Sequence, residues 1–415
     1  MRARSDSGER RRRVLLASAC LALLAAALTC RAPTGSGAGL RWWKGNMHAH
    51  TLWSDGDSAP ESVSAWYRAR DYQFLVLSDH DVVLSGEKWI PVAEQPEGAI
   101  SAARLRTLQD AFGEDRVELR TREGLGEMRL ATLDELRPRF EEPGEFLFIP
   151  GEEVTVRAPQ NVHVNGLNLR ELIPPATAAT SRETMLLNVE AVLAQGRELA
   201  RPVLAAVNHP NYRWALGAED LAALSGVAFF EVYNGHPQVQ NKGDATHAGT
   251  EELWDRALAK RIARGETGML YGIASDDSHH FHTFGEGRSN PGRGWVMVRA
   301  AELEAGALLD ALRRGDFYST SGVRLRELAC DGRTYALAID AEAGVEYATR
   351  FVGTRRGSER IGEVLLETRS REPRYVFDGG ELCVRAVVTS SRPHPNPSAP
   401  GEREQAWLQP CRPRQ

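Results

Sequence analysis

Short apolar runs recur along the chain, and each stops at a cluster of polar residues. Phe74-Leu-Val-Leu77 ends in Ser78-Asp79-His80, and Pro202 to Val207 ends in Asn208-His209-Pro210. Val227 to Val232 ends in Tyr233-Asn234-Gly235, and Gly268 to Ala274 ends in Ser275-Asp276-Asp277-Ser278-His279. Unbroken apolar runs of this length suit strands buried on both faces of a parallel sheet. Trp43 to Thr51, Phe146 to Thr155, Asn161 to Leu167 and Gly294 to Val298 read as further strands.

Helical spacing fills the gaps. Pro60-Glu61 opens a helix capped by Ser58, with Val63, Trp66, Tyr67 and Ala69 as its apolar stripe. Ser181 to Glu198 is amphipathic through Met185, Leu186, Val189, Val192 and Leu193. Glu251 to Arg264 turns Leu253, Trp254, Ala257 and Leu258 inward, and a last helix runs to Arg314. The alternation covers residues 43–314. It predicts a parallel barrel or a doubly wound sheet, with chemistry at the C-terminal ends of the strands. Seven or eight strands in this length favour the barrel.

Two regions depart from the rhythm. Residues 81–145 are charged and Gly-rich, with helices expected at Ser101–Phe112 and Leu133–Phe140. They read as an insertion on the loop side of the barrel, a lid or a substrate-selecting wall. From Arg324 onward, strand-like runs alternate with Gly and charged turns, which predicts a small antiparallel β domain over residues 326–415.

The first thirty residues are different again. Arg2, Arg4 and Arg10 to Arg13 precede an uncharged, Leu- and Ala-rich run from Val14 to Thr29. This is the layout of a signal peptide, shorter than the roughly 20 residues of a spanning helix. A retained N-terminal anchor, or a lipid on Cys30, is the alternative route to membrane attachment. Residues 31–42 read as a tether. The expectation is an exported protein. Removing six arginines and two acids with residues 1–30 takes the formal charge from −5 to −9. An acidic chain without a basic run argues against nucleic acid as a partner. Cys330, Cys383 and Cys411 share the C-terminal part; one disulfide among them leaves one cysteine over, and the spacing does not choose the pair.

Candidate chemistry changes the picture most. His48 and His50 stand one residue apart at the end of the first strand, so both imidazoles point to one face. Asp55 follows beyond a turn at Ser54 and Gly56. Two nitrogens and a carboxylate suit a divalent ion of the Zn, Mn or Fe type. His80, Glu153, His163, His209, Asp277 and His279 end other strands or the turns beyond them. Ten of the eleven histidines fall between residues 48 and 282, which concentrates them in the alternating region.

In order, these segments read His-x-His-Thr-x-Trp-Ser-Asp-Gly, Ser-Asp-His, Pro-Gly-x-Glu, His, Asn-His-Pro and Asp-x-His. The set resembles the polymerase and histidinol phosphatase (PHP) superfamily of metallohydrolases, over residues 43–325. Phe230 to Gly235, Glu252 to Asp255, Tyr271 to His279 and the β-rich tail look most like its exported, carbaryl-hydrolase-like branch. The resemblance implies a distorted seven-stranded (β/α) TIM-like barrel, followed here by the small C-terminal antiparallel β domain. It also implies two or three divalent metal ions. Carried over, His48, His50, Glu153 and Asp277 hold one ion. Glu153 bridges to a second, held with His163 and His209. Asp55, His80 and His279 hold a third. In the tandem Glu152-Glu153 the family spacing selects Glu153, as strand parity with Thr155 also does. Asp277 fits Asp-x-His better than Asp276 does. Asp79, Asn208 and Asn234 read as residues that orient ligands or form turns.

The implied activity is an exported metal-dependent hydrolase, foremost a phosphoesterase acting on a small-molecule ester. A carboxylic or carbamate ester hydrolase at the same site and a non-catalytic surface binding protein are the alternatives. His236, His247, His280, His282, Arg213 and Arg288 are candidates to protonate a leaving group or bind an anion. His282 and Arg213 lead that group and, with His209, are the catalytic candidates. Asp71 and Gln73 depart from the family's pattern before the second strand, and residues 81–145 have no counterpart in its compact phosphatases. Substrate choice therefore does not carry over.

Overall fold

The strand Arg41–Asn46 lies inside the largest sheet among the described residues, third from one edge. It pairs antiparallel with Trp295–Ala300 and parallel with Phe74–Leu75. The structure is a computed structural model that describes residues 39–94 and 98–414. The expected signal segment, Cys30 and most of the tether lie outside the described residues. Among those described, no helix is long and apolar enough to cross a membrane. Leu40–Gln415 is one compact unit.

The fold is mixed α/β, with seven α-helices and four sheets among the described residues. The largest sheet has nine strands. From one edge inward these are Glu363–Thr368, Tyr347–Arg355, Glu381–Pro393, Arg403–Cys411 and Phe317–Thr320. Trp295–Ala300, Arg41–Asn46, Phe74–Leu75 and Leu147–Phe148 complete it. A five-stranded sheet runs Leu270–Ser275, Ala228–Asn234, Leu204–Val207, Val162–Leu167 and Gly151–Val156.

The described strands do not close into a seven-stranded parallel barrel. Among the described residues two isolated backbone bridges join the two sheets, Ala49 to Ser278 and His80 to Glu153. Several pairings are also antiparallel. Gly151–Val156 and Val162–Leu167 are joined by five residues, too few for the crossover a parallel pair needs. Val162–Leu167 with Leu204–Val207, and Arg41–Asn46 with Trp295–Ala300, are antiparallel as well. Parallel order survives where apolar runs lie on either side of a helix, as at Ala228–Asn234 with Leu270–Ser275.

The C-terminal strands continue the large sheet rather than starting a separate one. Arg403–Cys411 pairs with Phe317–Thr320 on one side and Glu381–Pro393 on the other. A three-stranded sheet of Leu325–Cys330, Thr334–Ile339 and Arg374–Val376 lies beside it. Among the described residues one disulfide joins Cys330 to Cys411, and Cys383 is free and buried. The insertion forms helices Ala102–Phe112 and Leu133–Phe140 and a small sheet of Trp89–Pro91, Leu119–Arg122 and Leu125–Arg129. Its apolar residues share a core with helix Pro60–Arg68.

Candidate metal centre

The two seams between the sheets are where the histidines and carboxylates gather. Ala49 lies between His48 and His50, and Ser278 lies between Asp277 and His279. The bridge Ala49 to Ser278 therefore brings both pairs side by side, held by His50 N–H to the Ser278 carbonyl at 2.9 Å and Asp277 N–H to the His48 carbonyl at 3.0 Å. The other seam joins His80 directly to Glu153. Asp55 is brought round by the turn after His50. Gly56 N–H donates to the Thr51 carbonyl at 3.0 Å, and a Cβ on Gly56 would sit 2.7 Å from the His50 carbonyl carbon and oxygen, so the turn closes this tightly only with glycine. Asp79 locks it, accepting from Thr51 N–H at 2.8 Å, Thr51 Oγ1 at 2.9 Å and Ser54 Oγ at 2.7 Å.

All nine residues singled out in the sequence converge. Glu153 is at the centre and fully buried. Its Oε1 lies 3.0 Å from His163 Nδ1 and 3.2 Å from His209 Nε2. Its Oε2 lies 3.4 Å from both His48 Nε2 and His50 Nε2, and 2.8 Å from His80 Nδ1. Asp277 Oδ1 is 3.4 Å from His48 Nε2 and 3.3 Å from His50 Nε2. On the outer side, Asp55 reaches His279 Nε2 at 3.3 Å and His80 Nε2 at 3.5 Å. Three groups have ligand atoms close enough to share an ion: His48, His50 and Glu153; His80, Glu153 and His163; and His50, Asp55, His80 and His279. His50 thus stands between the inner and outer groups.

The donor set fits a metal on its own evidence. Glu153 Oε2 and His209 Nδ1 are buried without a good hydrogen-bond partner. His48 Nε2 and His50 Nε2 approach to 3.1 Å. His48 Nδ1 faces Glu231 Oε1 at 2.8 Å, so with a cation bound that nitrogen would keep its proton and Nε2 would turn a lone pair to the centre. Lone pairs crowded round a partnerless carboxylate oxygen leave a gap that a cation fills and a proton fills poorly. The backbone is strained at two of the nine residues, with φ of 22° at His209 and 48° at Asp277; side-chain-bearing residues hold such angles mainly where a site demands it.

The electrostatics describe the same imbalance. Burial opposes charge on His48, but the Asp277, Glu153 and Glu231 carboxylates outweigh it and hold its pKa well above the usual value. Burial likewise opposes charge on His80, and Glu153 and Asp55 raise it to about 11. His50 goes the other way, pushed down to about 3 by burial and by the neighbouring His279 and His80. Burial works against the charged forms of Glu153 and Asp277, yet the surrounding imidazoles keep both carboxyls well below the ordinary range.

The tandem acids divide as strand alternation requires. Glu152 points away and accepts from Ile173 N–H at 2.6 Å. Asp276 accepts from the backbone of Gly292, Arg293 and Gly294 and from Tyr67 Oη at 2.8 Å. Asn208 Nδ2 donates to Glu153 Oε1 at 2.7 Å, and Asn234 Nδ2 donates to Asp277 Oδ2 at 3.0 Å and to Glu231 Oε2 at 2.8 Å.

Not every candidate reaches the centre. The cleft over it has a volume of about 280 Å³ and is lined by His236 and His280 in addition to seven of the nine. Tyr212 and Gln238 line it too, and nothing in its sequence pattern marked either one. Burial, followed by the pull of Asp277 in the other direction, leaves His236 lowered to about 4. His282 and Arg213 lie outside the cleft. His282 is exposed and meets Ser58 Oγ at 2.9 Å, while Arg213 is exposed with its guanidinium 5.4 Å from the Tyr212 ring. His247 stacks on Trp214 at 4.1 Å, and Arg288 is exposed. Among the described residues none of 81–145 lines the cleft. The insertion instead braces the turn that carries Asp55: Trp53 Nε1 donates to the Ala131 carbonyl at 2.9 Å, and Arg104 Nη1 to the Asp57 carbonyl at 3.0 Å.

Glu231 is the residue that sequence reasoning passed over. Besides His48 it accepts from His209 N–H at 2.7 Å and from Ser275 Oγ at 2.5 Å. The signal was there: a carboxylate inside the otherwise apolar strand Ala228–Asn234 has to find buried partners.

No family model matches the chain, and no curated protein does. Solved structures do match. One is a two-domain protein containing a predicted PHP-like metal-dependent phosphoesterase from Bacteroides vulgatus ATCC 8482, 15% identical, covering 90% of this chain and 96% of that one, with a TM-score of 0.38. A second is an amidohydrolase from Chromobacterium violaceum, 16% identical over 57% of this chain and 88% of that one, with a TM-score of 0.26. A third, from Bifidobacterium adolescentis ATCC 15703, is named as a proposed metal-dependent phosphoesterase; it is 13% identical over 65% of this chain and 94% of that one, with a TM-score of 0.27. At these scores the likeness carries no argument, and the reading below rests on the residues of the site.

Proposed function

We propose that this chain is an exported metal-dependent hydrolase, a phosphoesterase acting on a small-molecule ester. The observation that carries the reading is the Glu153 carboxylate. It is buried, its two oxygens face different sets of imidazoles, and one of them lacks a hydrogen-bond partner. A carboxylate so placed can bridge two ions. In this reading His48, His50, Glu153 and Asp277 hold one, Glu153 with His163 and His209 a second, and Asp55, His80 and His279 a third. Bound there, Zn, Mn or Fe ions lower the pKa of water from about 15.7 towards about 7 and polarise a phosphoryl or carbonyl oxygen.

The chain's own residues position and select. Glu231 fixes the tautomer and tilt of His48. Asn208 and Asn234 hold Glu153 and Asp277 in place. Tyr212, Gln238, His236 and His280 on the cleft wall offer hydrogen bonds to substrate oxygens. Among the described residues the only carboxylates lining the cleft are Asp55, Glu153 and Asp277, all part of the proposed ligand set. An anionic ester therefore meets no spare negative charge, which favours a phosphoester over a neutral carboxylic or carbamate ester. The volume of about 280 Å³ suits a small substrate group. Export rests on the basic then apolar composition of residues 1–30.

The test is an assay of the purified chain, loaded with Mn²⁺, Zn²⁺ or Fe²⁺, on aryl phosphates, aryl phosphodiesters, and aryl carboxylic and carbamate esters. Metal-dependent turnover of a phosphate substrate, lost on chelation, is the expected result. Turnover of carboxylic or carbamate esters alone would move the assignment to that class. No turnover of any class by metal-loaded protein would overturn it.

A further inference from the structure

A second cavity, of about 320 Å³, lies where helix Thr250–Ala263 meets the C-terminal strands, and it shares no lining residue with the metal cleft. Its wall carries a buried donor with nothing to bind. His394 is 5% exposed, and its Nδ1 accepts from Asn396 N–H at 3.1 Å, so the ring proton sits on Nε2. Nε2 has no partner. Burial lowers the pKa of this imidazole, which keeps it a neutral N–H donor.

Three further features of the wall have the same polarity. The helix Thr250–Ala263 begins here with Gly249 at its N-cap and no side-chain cap, which leaves the N–H groups of Glu251 and Glu252 without acceptors among the described residues. Such an end attracts negative charge. Lys242 and Arg350 also line the cavity. Three acids line the cavity too: Glu251 is paired with Arg385 and accepts from Trp407 Nε1, Glu252 is paired with Arg256, and Glu402 is turned to Ser398, accepting from its N–H at 2.7 Å and its Oγ at 2.9 Å, while Arg403 adds a third cation to the wall. By contrast, neither Lys242 nor Arg350 pairs with a carboxylate among the described residues. An apolar wall completes the site, formed by the stacked rings of Tyr233 and Trp407, 5.2 Å apart at 24°.

We propose that this cavity is a binding site for a small organic anion, whose carboxylate or phosphate group is received by His394 Nε2, Arg350, Lys242 and the open end of helix Thr250–Ala263. The volume is that of a metabolite-sized pocket. The aromatic wall packs the organic body, and the donors fix the charged end. The site is independent of the hydrolase reading and does not use its metals.

The test is calorimetric titration of the full chain with succinate and, separately, with methylphosphonate, which tells a carboxylate from a phosphate-like anion. At least one should bind saturably at a single cavity site. Arg350→Ala and His394→Phe should each weaken it about tenfold or more, the effect of losing one charge-assisted or buried hydrogen bond. His163→Ala, at the metal centre, should leave that binding unchanged. A circular dichroism spectrum checks each fold, and Lys242→Ala, at an exposed position, replaces either cavity variant that fails to fold. The proposal is overturned if neither anion binds, if binding survives the cavity variants, or if it disappears in His163→Ala alone.

Discussion

Two groups of buried charge in this molecule are built on opposite plans. At the candidate metal centre, three carboxylates and six histidines crowd together with a Glu153 oxygen that no hydrogen bond satisfies among the described residues and two imidazole nitrogens 3.1 Å apart. Beneath the C-terminal sheet, Arg385 forms two 2.7 Å hydrogen bonds to Asp255 and a third, of 3.0 Å, to Glu251. The second group completes itself: each charge has a partner of the opposite sign and matching geometry. The first does not, and protons alone cannot complete it. A buried network that serves structure closes on its own side chains, whereas one that serves chemistry leaves room for something else.

The comparison breaks most visibly if each group is cut once. Asp277→Ala should lower kcat/KM on the best phosphate substrate on the order of 10³-fold, or about 4 kcal/mol of transition-state stabilisation, with little loss of melting temperature. Arg385→Ala should do the reverse. It leaves Asp255 buried and unpaired and should cost roughly 3 kcal/mol in chemical denaturation while metal content stays at the wild-type level. If Asp277→Ala unfolded the chain, or Arg385→Ala stripped its metal, the contrast would fail.

A finer cut tests the support of the centre. Glu231→Gln keeps the shape but removes the charge that orients His48, and should weaken metal affinity by up to about 100-fold in competition with a chelator. An unchanged affinity would demote Glu231 to a strand-packing role.

Glu152 gives the smallest effect and sharpens the distinction between tandem neighbours. Burial raises its carboxyl to about 8, against the pull of the Ile173 N–H and aided by Asp81. The folded chain therefore keeps a proton that the unfolded chain releases above its ordinary 4.5, and stability falls as pH rises from 4.5 towards 8. Glu152→Gln should remove that slope; the ceiling on its gain at pH 7 is about 3 kcal/mol, and the unpaired amide that Gln buries takes back part of it, leaving about 1–2 kcal/mol. A parallel pH profile in variant and wild type would place the proton elsewhere.

The gathering of the nine residues was legible because its signal is local. His-x-His alternation, polar clusters after apolar runs, and strand parity within Glu152-Glu153 each follow from the two-residue period of a strand. What sequence reading missed depends on distant pairing. The antiparallel pairing of Gly151–Val156 with Val162–Leu167 breaks the parallel ring. So does the union of the C-terminal strands with Phe317–Thr320, and neither is encoded in any single run. His282 and Arg213 sit at plausible intervals after strand ends, yet loop geometry sends both side chains out of the cleft, and His236 and Tyr212 line it instead. Glu231 was hidden because a strand reading credits apolar neighbours and passes over the one charge among them.

In the proposed site Glu153 would be shared between two ions. The most direct measurement is elemental analysis of the purified chain beside Glu153→Gln, a substitution that preserves shape and fold. About two to three divalent ions per wild-type chain and fewer than about one in the variant are expected. No metal in the wild type, or equal content in both proteins, would contradict that sharing.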